Sequence, residues 1–201
     1  MKTSRTRLVL DTATAYLYVA FFEGEKALGE IYEKGDNDHS ATLMKTVATL
    51  SDSLGVKAAD IDEVIVGVGP GSYTGVRAGV VVAKVFAWTR SVSLKTVSSL
   101  ALIASSVSQE TTVVPCLDAR RGNVFYGVYD IENGGLRCVE DDGFASLSVI
   151  EDGPYKEALR ISSGRPDMQK VFRSTLMHDV EDIHALAPRY LRKTEAERQG
   201  G

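Results

Sequence analysis

Five glycines and one proline fall within thirteen residues, GVGPGSYTGVRAG, from Gly67 to Gly79. The segment follows an apolar run, IDEVIVG, and precedes a helix-length run, VRAGVVVAKVFAW, from Val76 to Trp88. A strand, a glycine-rich turn and a helix in that order predict an α/β architecture with parallel pairing. Glycine permits positive φ and close backbone approach. Ser72 or Thr74 can cap the following helix. Two readings of the segment follow. A helix N-terminus with spare N–H groups attracts anions, and Arg77 adds charge, so the segment could touch a phosphate or nucleotide. It could equally be a tight turn that lets helix and sheet pack closely. The spacing is neither of the two standard phosphate-loop patterns.

Around this segment the chain alternates strand and helix signals. Leu8–Leu10 ends at Asp11, Tyr16–Phe22 is rich in aromatic and β-branched residues, and Ala27–Tyr32 follows Gly24. These three predict an antiparallel meander. GDNDHS, from Gly35 to Ser40, is loop and cap chemistry. Leu43, Val47, Leu50 and Leu54 then share one helical face, and Gly55 ends the helix. The run from Val76 to Trp88 is apolar around most of its circumference, so such a helix must be covered on more than one side. A short strand from Ser93 and a helix capped at Ser98 or Ser99 complete this part. The stretch from Thr112 to Tyr129 repeats the opening pattern of strand, Asp, turn and aromatic strand. The repeat predicts two domains, 1–100 and 101–201, with the tail packing back on the first. Asn133 to Gly164 is punctuated by Gly and Asp and reads as short helical stretches.

Composition narrows the function. The chain has 201 residues, 44% hydrophobic and 25% charged, enough for a real core. Its net charge of −4 argues against binding nucleic acid alone. Cys116 and Cys138 read as free thiols. No apolar run approaches the length of a signal peptide core or a spanning helix, so the expected location is cytoplasmic. His178 and His184 point apart on any helix, and no HExxH-type pair exists, so no metal site is expected.

Two further turns carry chemistry. Asp11-Thr12-Ala13-Thr14 resembles the turns that hold Mg²⁺ and a γ-phosphate in phosphotransfer folds. It lacks glycine, however, which favours a plain Asx or Ser/Thr turn. Asp118-Ala119-Arg120-Arg121 could bind an anion or a partner carboxylate, or be an exposed hairpin tip. Tyr190 and Leu191 suggest that the start of the tail docks.

The glycine segment resembles that of the TsaB (YeaZ) family, G-x-GPGS-[FY]-TG-x-R-x-G. The match covers Gly67, Gly69, Pro70, Gly71, Ser72, Tyr73, Thr74, Gly75, Arg77 and Gly79. LDTAT (Leu10–Thr14), HS-x-x-L (His39–Leu43), Asp118-Ala119-Arg120 and the tail residues Pro188, Tyr190 and Arg192 resemble the same family. The resemblance implies an actin/heat-shock-chaperone/sugar-kinase (ribonuclease H-like) fold with two α/β domains and mixed sheets. It implies a non-catalytic subunit for making threonylcarbamoyladenosine next to the tRNA anticodon. The implied partners are a TsaD-like paralogue, which holds the catalytic and metal site, a TsaE-like ATPase, and a second copy when the chain is alone. tRNA is expected only through the complex. No cofactor is expected to be tightly held, with ATP or ADP allowed at the partner interface.

On this reading the interface comes from the first two helices, through Leu43, Val47, Leu50, Val80, Val81 and Phe86. The possible nucleotide or anion contacts are Asp11, Thr12, Gly69, Pro70, Gly71, Ser72, Thr74, Gly75 and Arg77. The rival reading is a small ATPase or kinase of the same fold, acting through Asp11 and the glycine segment. A metalloprotease would need the missing His pair.

Overall fold

A computed structural model describes residues 4–35 and 39–191. The side chains of residues 39–41 are outside the described set, as are the loop expected to cap the first helix and Arg192 of the tail. The expected meander is present as β1 (Thr6–Asp11), β2 (Tyr16–Glu23) and β3 (Lys26–Lys34), paired antiparallel in that order. β4 (Glu63–Gly67) lies parallel to β1, and β5 (Ser93–Val97) parallel to β4. β10 (His178–Asp179) closes the far edge against β5. The first sheet therefore has the order β10-β5-β4-β1-β2-β3.

Period-two alternation divides this sheet between two cores. Leu8, Leu10, Val19, Phe21, Val64 and Val66 face one side. That side is covered by α1 (His39–Leu54) and α2 (Tyr73–Arg90). Val9, Tyr18, Ala20, Phe22 and Ile65 face the other. There they meet α3 (Ser99–Ser105) and residues of the second sheet. α1 stops where Gly55 takes φ +67°. α3 starts at Ser98, whose hydroxyl accepts from the N–H groups of Leu100 and Ala101.

The second sheet has the order β8-β7-β6-β9, from β6 (Thr111–Asp118), β7 (Asn123–Glu132), β8 (Gly135–Ser146) and β9 (Leu159–Ile161). α5 (Met168–Phe172) joins α3 on its inner face, and α4 (Leu147–Glu151) lies at the outer one. The β6–β7 hairpin mirrors β1–β2, as the sequence repeat suggests. β8 corrects the sequence reading: a twelve-residue strand stands where short helical stretches were expected. Its edge position explains the miss. Arg137, Glu140 and Asp141 sit on a partly solvated edge strand, so its apolar alternation is broken by charge.

A buried polar knot ties the second sheet to the tail. The Tyr129 hydroxyl donates to Asp142 Oδ1 at 2.7 Å, and Arg189 Nη1 donates to Asp142 Oδ2 at 3.0 Å. The Arg189 N–H in turn donates to Val68 O, at the end of β4. Burial raises the Asp142 carboxyl above its ordinary range, opposed by its hydrogen bonds and by the Arg189 charge. Removing Arg189 therefore leaves a buried carboxylate without its counter-charge. Arg189→Met is expected to cost about 1–3 kcal/mol in urea unfolding at pH 7.5. The cost should shrink as pH falls, because the raised Asp142 carboxyl of the variant then takes up a proton. A pH-independent cost would refute this account.

Candidate functional site

The site begins with the glycine segment and what it touches. Ser72 caps α2, its hydroxyl accepting from the Gly75 N–H at 3.3 Å. The Ser72 N–H donates to Ala13 O at 2.7 Å, and the Gly69 N–H donates to Ser99 Oγ at 3.1 Å. A Cβ on Gly71 would lie 2.2 Å from Ala13 O, and one on Gly75 2.1 Å from Thr12 O. On Gly79 it would lie 2.6 Å from Thr12 Oγ1. Thr12 Oγ1 donates to Gly75 O at 2.6 Å. The glycines thus form a bed for the turn after β1. Of the two readings of this segment, the geometry fits close packing: the chain itself fills the cradle with carbonyl oxygens.

Asp11 behaves accordingly. It is buried, and its Oδ1 accepts from the Ala13 N–H at 2.9 Å and from Ser99 Oγ at 3.0 Å. This is an Asx turn. Asp118 repeats it at the end of β6, accepting from the Arg120 N–H at 2.8 Å, but in the open. Burial pushes the Asp11 carboxyl up to about 6, against the lowering effect of its hydrogen bonds. Arg77 is an exposed side chain that meets the tail. Its Nε donates to the Tyr190 hydroxyl at 2.8 Å, and its guanidinium lies 4.1 Å from the Tyr73 ring centre. Tyr73 and Tyr190 stack at 5.1 Å, so the tail docks on the start of α2.

An open cleft of about 1020 Å³ lies between the two hairpin turns. Ala13–Tyr16, Pro70–Thr74, Leu117–Arg121, Phe125, Ser162, Ser163 and the tail residues Arg189–Leu191 line it, with Lys34. Asp11 and Arg77 are not among its lining residues. Of the expected contacts, Pro70, Gly71, Ser72 and Thr74 reach the cleft. Asp11 and Thr12 are sealed beneath the glycine segment.

The helix face needs a correction. Leu43, Leu50 and Val80 are buried in the core between α1, α2 and the first sheet, so they cannot meet another chain. Val47 and Phe86 are partly buried against the same core. Val81 is 57% exposed. Val85 and Trp88 are 54% and 61% exposed, and on the neighbouring α1 Met44 is 54% exposed. Val81, Val85 and Trp88 are spaced i, i+4 and i+7, so they form one stripe along α2. The signal was present in the sequence. A helix that is apolar all round has a second apolar face, and this is it.

Two outcomes test the turn and its bed. Gly75→Ala should destabilise by about 3 kcal/mol through the clash with Thr12 O, reversing the gain of about 1 kcal/mol that Ala usually brings to a helix. Asp11→Asn keeps the acceptor and removes the buried charge. A carboxyl raised from 3.8 to about 6 opposes folding above pH 6, and the penalty fades as pH falls towards 4. Asp11→Asn should therefore be more stable than the parent at pH 7.5, by up to about 3 kcal/mol. That gap should close between pH 6 and 4 in thermal melts. A constant gap would count against a raised Asp11.

Comparison with known proteins places this architecture. Residues 28–186 match the family model TsaD, described as tRNA N6-adenosine threonylcarbamoyltransferase. A Bacillus subtilis protein, named as the tRNA threonylcarbamoyladenosine biosynthesis protein TsaB, is 29% identical over 96% of each chain. An uncharacterised Mycobacterium bovis protein is 32% identical over 83% of this chain and 75% of its own. A Pseudomonas aeruginosa crystal structure, described as similar to peptidase YeaZ, superposes with a TM-score of 0.78 at 25% identity. It covers 94% of this chain and all of its own. The fold is of the actin/heat-shock-chaperone/sugar-kinase type, with two mixed sheets. Carrying the glycine segment on this fold, the chain belongs to the TsaB (YeaZ) family.

Proposed function

We propose that the chain is a non-catalytic scaffold or activating subunit of the machinery that makes tRNA threonylcarbamoyladenosine, pairing with a TsaD-type paralogue. The observation that carries this reading is the exposed stripe of Val81, Val85 and Trp88 on α2. Exposed apolar side chains contiguous on a helix mark an interaction surface. A parallel helix pair on another chain of the same fold is the natural complement, either a TsaD-type partner or, in its absence, a second copy. A TsaE-type ATPase and ATP or ADP belong to the assembled complex on this reading. The state of Asp11 supports a non-catalytic role. A carboxylate sealed under the glycine bed, with its acceptor oxygen engaged, has no access to a substrate phosphate. The rival ATPase reading requires that access.

Val81→Glu and Trp88→Glu place charge on the stripe without touching the core. Both are expected to leave the melting temperature within a few degrees of the parent and to abolish pairing with a TsaD-type partner, read by light scattering. In a reconstituted reaction, threonylcarbamoyl transfer to unmodified tRNA should depend on this chain and fall at least about tenfold with either variant. Retained pairing and transfer would refute the assignment of this face. ATP turnover by the isolated chain, lost in Asp11→Asn, would favour the enzyme reading instead.

A further inference from the structure

The cleft between the two hairpin turns has a charge pattern opposite to that of the chain. Lys34, Arg120, Arg121 and Arg189 line it against one carboxylate, Asp118, while the whole chain carries −4. Arg189 is committed to Asp142, whereas Lys34 and Arg120 are exposed side chains of the lining. Arg120 and Arg121 stand on the β6–β7 turn, held there by backbone with φ +65° and +56°. The start of α2 at Tyr73 and Thr74 adds the positive end of a helix dipole. Aromatic rings line it as well: Tyr16, with one face on Tyr32, Tyr190, with one face on Tyr73, and Phe125, tilted against Phe144. Ser72, Ser162 and Ser163 add hydroxyls.

The depth of the site argues against a free nucleotide. A mononucleotide is anchored by a phosphate in a backbone cradle. Here the Thr12 and Ala13 carbonyls occupy that bed, and the Ser72 and Gly69 N–H groups are already used. The cations lie at the rim instead. Cations along an open mouth, interleaved with aromatic rings, are the pattern that tracks a single nucleic-acid strand. Phosphates meet the Lys and Arg side chains and unstacked bases find aromatic faces.

We infer that this cleft is a contact site for single-stranded RNA, with Lys34 and Arg120 meeting the phosphate backbone. This deepens the reading above, on which it rests, by giving the chain a direct contact with the RNA. The sequence, with its net acidity, placed that contact on partners alone. Net charge averages over the surface, whereas an RNA strand feels only the cleft within a Debye length.

The test is fluorescence anisotropy of the full-length chain with fluorescein-labelled oligoadenylate at low salt. The expected result is salt-sensitive binding that weakens in Lys34→Glu and in Arg120→Glu. Each variant should lower the slope of log affinity against log salt by about 0.7. Unlabelled oligoadenylate should displace the probe, while ATP and polyglutamate at equal charge concentration should not. Melting curves confirm that the variants fold, and Lys34 and Arg120 lie on different elements, so both would have to fail together to mislead. Unchanged affinity in both variants overturns the inference, and so does equal displacement by ATP or by polyglutamate. If transfer to tRNA depends on the chain but RNA affinity ignores both variants, the cleft inference falls and the scaffold reading stands. If affinity responds as expected while transfer ignores the chain, the scaffold reading falls and the RNA site stands.

Discussion

The turn after β1 lies in a bed of glycine, and much of the molecule is arranged around that contact. Gly71 and Gly75 have no side chain because the Thr12 and Ala13 carbonyls occupy the space a Cβ would need. That approach sets where α2 begins and holds it against the first sheet. It also buries Asp11, because the glycine segment and Ser99 close over it. The same Asx turn at Asp118 has no such cover and stays at the surface. Two copies of one local motif thus meet opposite fates. Burial, not the motif, decides that the first is structural and the second is free to face a ligand.

The position of α2 has a second consequence. Its small residues, Gly75, Ala78, Gly79, Ala83 and Ala87, face the sheet, so the helix sits low and its bulkier residues are divided between two sides. Val76 and Val80 go inward. Val81, Val85 and Trp88 are left outward. A helix whose inner face is built from glycine and alanine leaves its outer apolar residues largely exposed, with the edge of His184 against Trp88. The apolar stripe is therefore a product of the same close packing that buries Asp11.

The tail connects these parts. β10 extends the first sheet, Lys84 Nζ donates to the His184 and Leu186 carbonyls, and Tyr190 stacks on Tyr73. Arg189 then reaches across to Asp142 of the second sheet. The last segment of the chain thereby edges the cleft and joins both sheets. Of the two tail residues expected to dock, Tyr190 does so, on Tyr73 and Arg77. Sequence reading had no means of finding Asp142, forty-seven residues before Arg189 and lying in a stretch that gave no strand signal.

What the sequence determined by itself is local and periodic. The meander, the glycine turn, the Ser caps and the presence of the first two helices follow from alternation, glycine placement and capping hydroxyls, all acting within a few residues; α2 runs Tyr73–Arg90, longer at both ends than the apolar run Val76–Trp88. The family segment was likewise a contiguous string. Which face of each periodic element lies inside depends on packing against distant parts of the chain. Leu43, Leu50 and Val80 have the same hydrophobic character as Val81 and Trp88, yet the sheet covers the first three and not the last two. The burial of Asp11 and the local charge of the cleft arise in the same way. Burial and electrostatic field are sums over neighbours that are distant in the chain, and periodicity carries no record of them.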